Sequence, residues 1–419
     1  MMQKVAIMTC FSEFMPGYSL TGIVTDQWRM LKEHGHEVDV FVNENFTDKT
    51  HKIPEGMSIK KLVPFAHLKD YGSVNQLIPE HNTVVAKTTD MLRRELPNYQ
   101  IVFTHDWIFT GWNLPYCLGM KAAIPEFPNV KFFHWVHSTP SGAKDWWYIR
   151  DFGTNSKIAW PTDINRTFVA ERYNGWNSDV KVIPHIKDIR TYARLSDETC
   201  SILSKYPNLM RADIVQLLPA SVDRLEAKRL DMVIKIFAGF KNAGKNVCLF
   251  VAAQWATGKD QLEVVEKYRK MATDVGLEDK KNIIFSSDID KKYRVGLPHH
   301  MIYELFLISN LFIFPTREES FGLVVPEAAL TGNFLVLNRN LYNQIEITAH
   351  NALYFEFGSH EVNFTASDAY YNEVSKVIMA RIRDNEMFKT QTYCRQRYNY
   401  DYLYATVYAP LMSEAQHKK

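Results

Sequence analysis

No dense block of lysine or arginine occurs anywhere in the 419 residues, and the formal net charge is only +2. Neither composition nor charge pattern therefore argues for a broad polyanion-binding surface, although a local basic groove is still allowed. Cysteine is scarce and unpatterned. Cys10, Cys117, Cys200, Cys248 and Cys394 stand far apart without CxxC spacing, which gives neither a disulfide framework nor a zinc site and fits a reducing, cytoplasmic setting. No apolar run reaches the roughly 18 residues of a membrane span. The opening MMQKVAIMTCF is too short in its apolar part for a secretory signal and reads as a buried first strand. A soluble protein is expected, with attachment to a membrane surface left open. Internal repeats and low-complexity tracts are also missing.

What is present is enough for two globular domains, with 46% hydrophobic and 23% charged residues. Short β-branched or aromatic runs alternate with helical patterns, as in βαβ units with mostly parallel sheets. One series holds KVAIMTC, EVDVFV, QIVFTH, KFFHWVH and VKVIP, with a first helix expected from about Thr21 to Glu33. A second holds IVQLLPAS, VCLFVAAQ, NIIFSSD, LFIFPT, FLVLNRN and ALYFEF. The expected division is residues 1–190, 191–395, and a tyrosine-rich tail over 396–419, helical up to Pro410, that crosses back to the N-terminal domain. Ligands of doubly wound sheets bind at strand carboxyl ends, so a cleft between the two domains is the expected place for function.

The stretch TREESFGLVVPEAALTG, residues 316–332, carries the clearest chemistry. It reads as a strand, a loop and a helix whose Pro326 falls in the first turn, where proline is tolerated. Ser320, Phe321, Gly322, Leu323 and Val324 would present backbone N–H groups to an anion, with Gly322 allowing close approach. Glu319 and Glu327 stand on either side of that cradle, and a carboxylate can accept hydrogen bonds from two neighbouring hydroxyls. A phosphate between two acids suits a nucleotide sugar. Two unrelated solvated acids are the plain alternative.

ESFGLVVPE resembles the E-x7-E signature of the retaining GT-B glycosyltransferases of family 4, and EAALTG resembles the family's EAMACG. The resemblance implies an α/β fold of two Rossmann-like doubly wound domains facing across a cleft, the N-terminal one on the acceptor side and the second binding the nucleotide sugar. Glu319 would contact hydroxyls of the donor sugar and Glu327 those of the ribose, with 320–324 holding the pyrophosphate. Arg224 and Lys228 fall where the family neutralises the donor diphosphate, although its GR and KG are here DR and KR. An exposed helical face would also explain that pair. In FFHWVHS, His137 takes the place of the histidine beside the transferred sugar; a core histidine is the alternative. GYSLTG resembles the Gly-rich loop before the first helix, with Gly22 its candidate and Gly17 a poorer one. VKVIPHIKD resembles V-x-V-I-P-N-G-V-D with His185 and Ile186 in place of Asn-Gly, so the connecting turn should differ. His134, Asp106 and Trp107 read equally well as loop or core residues.

The expected chemistry is transfer of a hexosyl or pentosyl group from a nucleotide-diphosphate sugar to an acceptor hydroxyl, with retention by same-face attack. Arg224, Lys228 and N–H dipoles would stabilise the leaving diphosphate. No cofactor or metal is expected, because the DID at 288–290 has no cluster of partners. The acceptor could be a glycan, a lipid precursor or a hydroxymethylated DNA base. Aromatics in HDWIFTGWNLPYC and KDWWYIRDF could stack on a sugar or base, or form core. A nucleotide-sugar 2-epimerase and a non-catalytic nucleotide-sugar-binding module are the other readings.

Overall fold

A computed structural model describes residues 2–66, 76–105, 113–137 and 148–413. The chain divides into two compact units, Met1–Asp188 with Tyr398–Lys419, and Ile189–Arg397. Asp106 and Trp107, with the rest of 106–112 and 144–147 in the two aromatic stretches, lie outside the described residues.

The first unit is built on a seven-stranded sheet. Its strands are β1 (Lys4–Met8), β2 (Glu37–Asn43), β3 (Ser58–Val63), β4 (Ile101–His105), β5 (Lys131–Trp135), β6 (Ser156–Trp160) and β7 (Val180–Val182). They lie in the order β3-β2-β1-β4-β5-β6-β7, with every neighbouring pair parallel. Strands buried on both faces need continuous apolar runs rather than alternation. KVAIM and IVFTH supply them, and Val5 to Met8 and Ile101 to Phe103 are fully buried. The sequence reading omits β3 and β6, where SIKKLV and SKIAW break the apolar run with lysine. Both ammonium groups are held at the surface, Lys60 by Glu95 and Lys157 by Asp179, each at 2.7 Å. Their stems can therefore cover apolar surface.

The first helix spans Ser19–Glu33 and buries Leu20, Val24, Gln27, Trp28 and Leu31, one stripe at helical spacing. It stops at Gly35, which takes φ +82°, a conformation that glycine adopts at helix ends without strain. It starts two residues before the expected position, and Gly22, the candidate of the Gly-rich loop, lies inside the helix. A Cβ built on Gly22 would meet nothing within 4 Å, so no close approach requires a glycine there. The tail from Tyr398 belongs to this unit: Tyr400, Leu403, Tyr408, Leu411 and Met412 join the core beside Val5 and Ile7. Its helix runs past Pro410 to Ser413, and a π-helical turn at Tyr404–Tyr408 precedes the ring.

In the second unit β8 (Ile214–Ser221), β9 (Val247–Gln254) and β10 (Ile283–Phe285) form one parallel set, in the order β10-β9-β8. β11 (Leu311–Phe314), β12 (Phe334–Asn338) and β13 (Leu353–Phe355) form another. All six runs expected from the sequence are strands. Side chains join the two sets. The fully buried Gln216 accepts from Ile313 N at 2.9 Å and donates to Ile313 O at 2.8 Å. Asn310 Oδ1 accepts from Val215 N at 2.9 Å. The amide of Gln216 thus replaces a missing ladder step. Gln216→Leu leaves the N–H and C=O of Ile313 without partners, at about 1–3 kcal/mol for each orphaned group. Urea unfolding of the variant should show a lower midpoint at an unchanged m-value; a loss below about 0.5 kcal/mol, the scatter of neutral surface changes, would mean that the bridge is dispensable.

Candidate functional site

The acidic motif folds largely as its residues suggest. After β11 the chain runs as a loop from 315 to 323, then as the helix Val324–Leu330 with Pro326 in its first turn. Gly322 has φ +81°, and a Cβ there would lie 2.8 Å from Glu319 Cγ. Glycine is therefore required twice, by backbone conformation and by the side chain folded against it. The amides of Ser320, Phe321, Gly322 and Leu323 find no acceptor among the described residues. Successive backbone N–H groups in a turn can make a concavity that suits an anion.

Three polar side chains that the sequence reading passed over hold this loop. The fully buried Asn338, at the end of β12, donates to Thr316 O at 2.9 Å and Gly358 O at 2.6 Å. Thr316 donates to Glu318 O at 2.8 Å. Asn343 donates to Ser320 O at 3.0 Å and to Glu319 O. Asparagine in a polar run such as LNRNLYNQ gives no sequence signal that separates a loop clamp from a solvated turn.

Both expected cations reach this loop from the turn after β8. Arg224 ends a 3-10 turn, Val222–Arg224, and Lys228 precedes Arg229, which has φ +56°; the two therefore do not share a regular helical face. Lys228 Nζ donates to Glu319 Oε1 at 2.9 Å and lies 5.0 Å from the centre of the Phe314 ring. Only 11% of its side chain is exposed, so this ammonium is a fixed charge on a largely buried stem. Arg224 is half exposed and donates to Glu318 Oε1 at 2.5 Å, while His360 Nε2 lies 2.5 Å from Glu318 Oε2. The His360 hydrogen bond, and then Arg224, hold the Glu318 carboxyl below its ordinary range. Glu318 gives no signal in the sequence, because both its partners, Arg224 and His360, are distant in the chain. Glu327 stands apart on its helix with His299 Nε2 at 3.6 Å. Of the DID acids, Asp288 pairs with Arg269 and Asp290 caps Lys292 N at 2.9 Å.

His137 lies in the first unit, just beyond β5, in a chain of imidazoles. Its Nε2 is 3.0 Å from His105 Nδ1, and its Nδ1 is 2.9 Å from His185 Nε2. His105 Nε2 lies 2.8 Å from Gln27 Oε1, and Gln27 Nε2 donates to Tyr408 Oη at 3.3 Å. Burial, and then the neighbouring His185, push His137 down to about 3. Burial, with the adjacent histidines, holds His105 well below its ordinary value, and burial with Lys187 lowers His185. With both ring nitrogens of His137 engaged, the expected contact from this imidazole to a sugar is already occupied. His134 is a core histidine, bonded to Thr104 at 3.0 Å and Ser156 at 3.3 Å, with burial taking it to about 3. Among the described residues no group of three or more His, Cys, Asp or Glu is placed to hold a metal ion, and no helix is long and apolar enough to cross a membrane.

No family model matches the chain, and no curated protein matches it. Among solved structures it is similar to a glycosyltransferase from Rickettsia africae ESF-5, at 13% identity over 100% of this chain and 99% of that one, with a TM-score of 0.39. It is similar to Anabaena HepE in complex with UDP and glucose, at 16% identity over 98% and 100% of the two chains and a TM-score of 0.35. It is also similar to WaaG, a glycosyltransferase involved in lipopolysaccharide biosynthesis, at 14% identity over 99% and 100% and a TM-score of 0.32. With these scores below 0.5, the functional reading rests on the site's own residues.

The histidines give a pH signature. Their folded values lie below the ordinary histidine value of about 6.5, so the unfolded chain takes up protons there while the folded one does not. Stability should be flat above about pH 7 and fall as pH drops below about 6.5, by up to about 1.4 kcal/mol per pH unit for each histidine that stays neutral. Denaturant titrations between pH 8 and pH 4.5 read this slope; a constant midpoint down to pH 4.5 would show that the imidazoles titrate normally in the fold.

Proposed function

We propose that the chain is a retaining glycosyltransferase that moves a hexosyl or pentosyl group from a nucleotide-diphosphate sugar to an acceptor hydroxyl on a glycan, a lipid precursor or a hydroxymethylated DNA base. The observation that carries this reading is the conjunction at one loop of the Lys228–Glu319 pair and the run of unpartnered amides at 320–323. A fixed cation beside an N–H cradle suits a diphosphate, and an acid held at the same loop suits the hydroxyls of the attached sugar. Glu319 uses Oε1 for Lys228, and Oε2 has no partner among the described residues, so it can accept from a sugar hydroxyl. Glu327, one third exposed on the following helix, takes the ribose hydroxyls in this reading.

The mechanism follows from where charge develops. Breaking the bond between the anomeric carbon and the diphosphate leaves negative charge on phosphate oxygens and oxocarbenium character on the sugar. Lys228, Arg224 and the loop amides stabilise that phosphate charge without reorganising. Arg224 is shared with Glu318, so the arriving diphosphate competes with this carboxylate for the guanidinium. Glu319 is paired with an ammonium and serves as a hydroxyl acceptor rather than as a nucleophile. Retention then comes from attack on the face from which the diphosphate leaves, and the proposal needs no divalent cation because the cations are built in.

Lys228→Ala and Arg224→Ala should each lower kcat/KM by about a hundredfold or more, the scale of one lost electrostatic stabiliser. Glu327→Ala should mainly raise the donor's Kd, and Glu319→Ala should mainly slow turnover. Steady-state kinetics and calorimetry with nucleotide sugars read both effects. Near-normal rates in the two cation variants would contradict the reading; donor binding with sugar isomerised and never transferred would replace it with an epimerase, and binding without turnover with a binding module.

A further inference from the structure

We infer that His185, not His137, is the imidazole that meets a substrate hydroxyl in the first unit, and that Gln27, His105 and His137 are positioning residues that fix its tautomer. The inference rests on the transferase reading for the identity of the hydroxyl. Three strand ends supply the histidines: His105 is the last residue of β4, His137 lies two residues beyond β5, and His185 three beyond β7. All three strands are parallel members of one sheet, so these residues gather at its carboxyl edge, where ligands of such sheets bind. The rings of His105 and His137 are within 9° of one another, and those of His137 and His185 within 30°. Their nitrogens face at hydrogen-bond distance, so each ring can aim its N–H at the next ring's lone pair.

The direction of the chain is set at its buried end. Gln27 turns Oε1 to His105 and Nε2 to Tyr408 Oη. A carbonyl oxygen only accepts, so His105 carries its proton on Nε2 and offers a bare Nδ1. His137 must then donate from Nε2 and offer Nδ1, and His185 must donate from Nε2. The Nδ1 of His185 is left as a lone pair with no partner among the described residues. Burial keeps the three rings neutral, which preserves the acceptor. The groups facing His185 are His137 and the Trp135 ring from the β5 end and Lys187 from its own loop. Neither His137 nor Lys187 is an acid that would hold a proton on it. This also explains a buried Gln27 in the otherwise apolar stripe of the first helix.

Nitrogen-15 spectroscopy of the imidazoles in the whole protein tests the tautomer, and kinetics on His185 variants tests the contact. The expected spectrum has His185 protonated on Nε2 and bare on Nδ1, and Gln27→Leu should make His185 a mixture of tautomers while the protein stays folded. His185→Ala should lose about tenfold in kcat/KM, the scale of one hydrogen bond. His185→Asn, which keeps an oxygen near the Nδ1 position, should recover most of it. The wild type should lose activity only at a pH below the ordinary histidine value of about 6.5, because burial lowers the pH at which His185 takes up a proton, and the Asn variant should lose that acid limb. A wild type that turns over nucleotide sugars with His185 protonated on Nδ1, or with an Ala variant as fast as itself, overturns the inference. A wild type that turns over none of them overturns the transferase reading instead.

Discussion

Parallel strand pairing forces every strand of a sheet to end at the same edge, and the chemistry of both units depends on that constraint. In the first unit it gathers His105, His137 and His185 from the ends of β4, β5 and β7. In the second, where no ladder pairs β8 with β11, the Gln216 amide joins the two strands, and the turn after β8 and the loop after β11 come to one place, where Lys228 meets Glu319 and Arg224 meets Glu318. Antiparallel pairing would send alternate strand ends to opposite edges and scatter these groups. The buried Gln216 amide matters for the same reason, since it fixes β11, and with it the acidic loop, beside β8.

The two clusters handle charge in opposite ways. Around the acidic loop, cations and carboxylates are paired, so in the proposed reading a diphosphate would share Lys228 with Glu319 and draw Arg224 from Glu318. Sharing costs less than stripping a lone buried ammonium from its only counter-charge, because the pair is partly solvated. Around the histidines, burial disfavours the charged forms and leaves a line of imidazoles linked nitrogen to nitrogen. In the proposed reading such a line would suit hydroxyls, and the amides at 320–323 an anion.

Much of the fold was legible because long apolar runs leave buried parallel strands few alternatives. KVAIM, VCLFVAAQ and LFIF are strands, and the helix after the acidic motif begins where Pro326 allows. β3 and β6 were hidden because lysines that snorkel from an apolar face read as loop. The resemblance of GYSLTG puts Gly22 in a loop, whereas the buried stripe from Leu20 to Leu31 carries the helix back to Ser19. His185 was seen only as a departure from an Asn-Gly turn. Its meaning depends on two other strand ends that no local window contains. Glu318 shows the same limit, because a salt bridge across 94 residues leaves no trace in spacing.

The central claim is that the amide cradle and its cations release a nucleoside diphosphate from a sugar that keeps its configuration. The most direct measurement is to incubate the protein with uridine, guanosine and adenosine diphosphate sugars, with hydroxyl acceptors and without, and to read the first sugar product by the proton coupling at its anomeric carbon. The account predicts stoichiometric release of the nucleoside diphosphate and a first product with the donor's own anomeric configuration. An inverted first product would contradict the mechanism, and the absence of release from every nucleotide sugar would contradict the function.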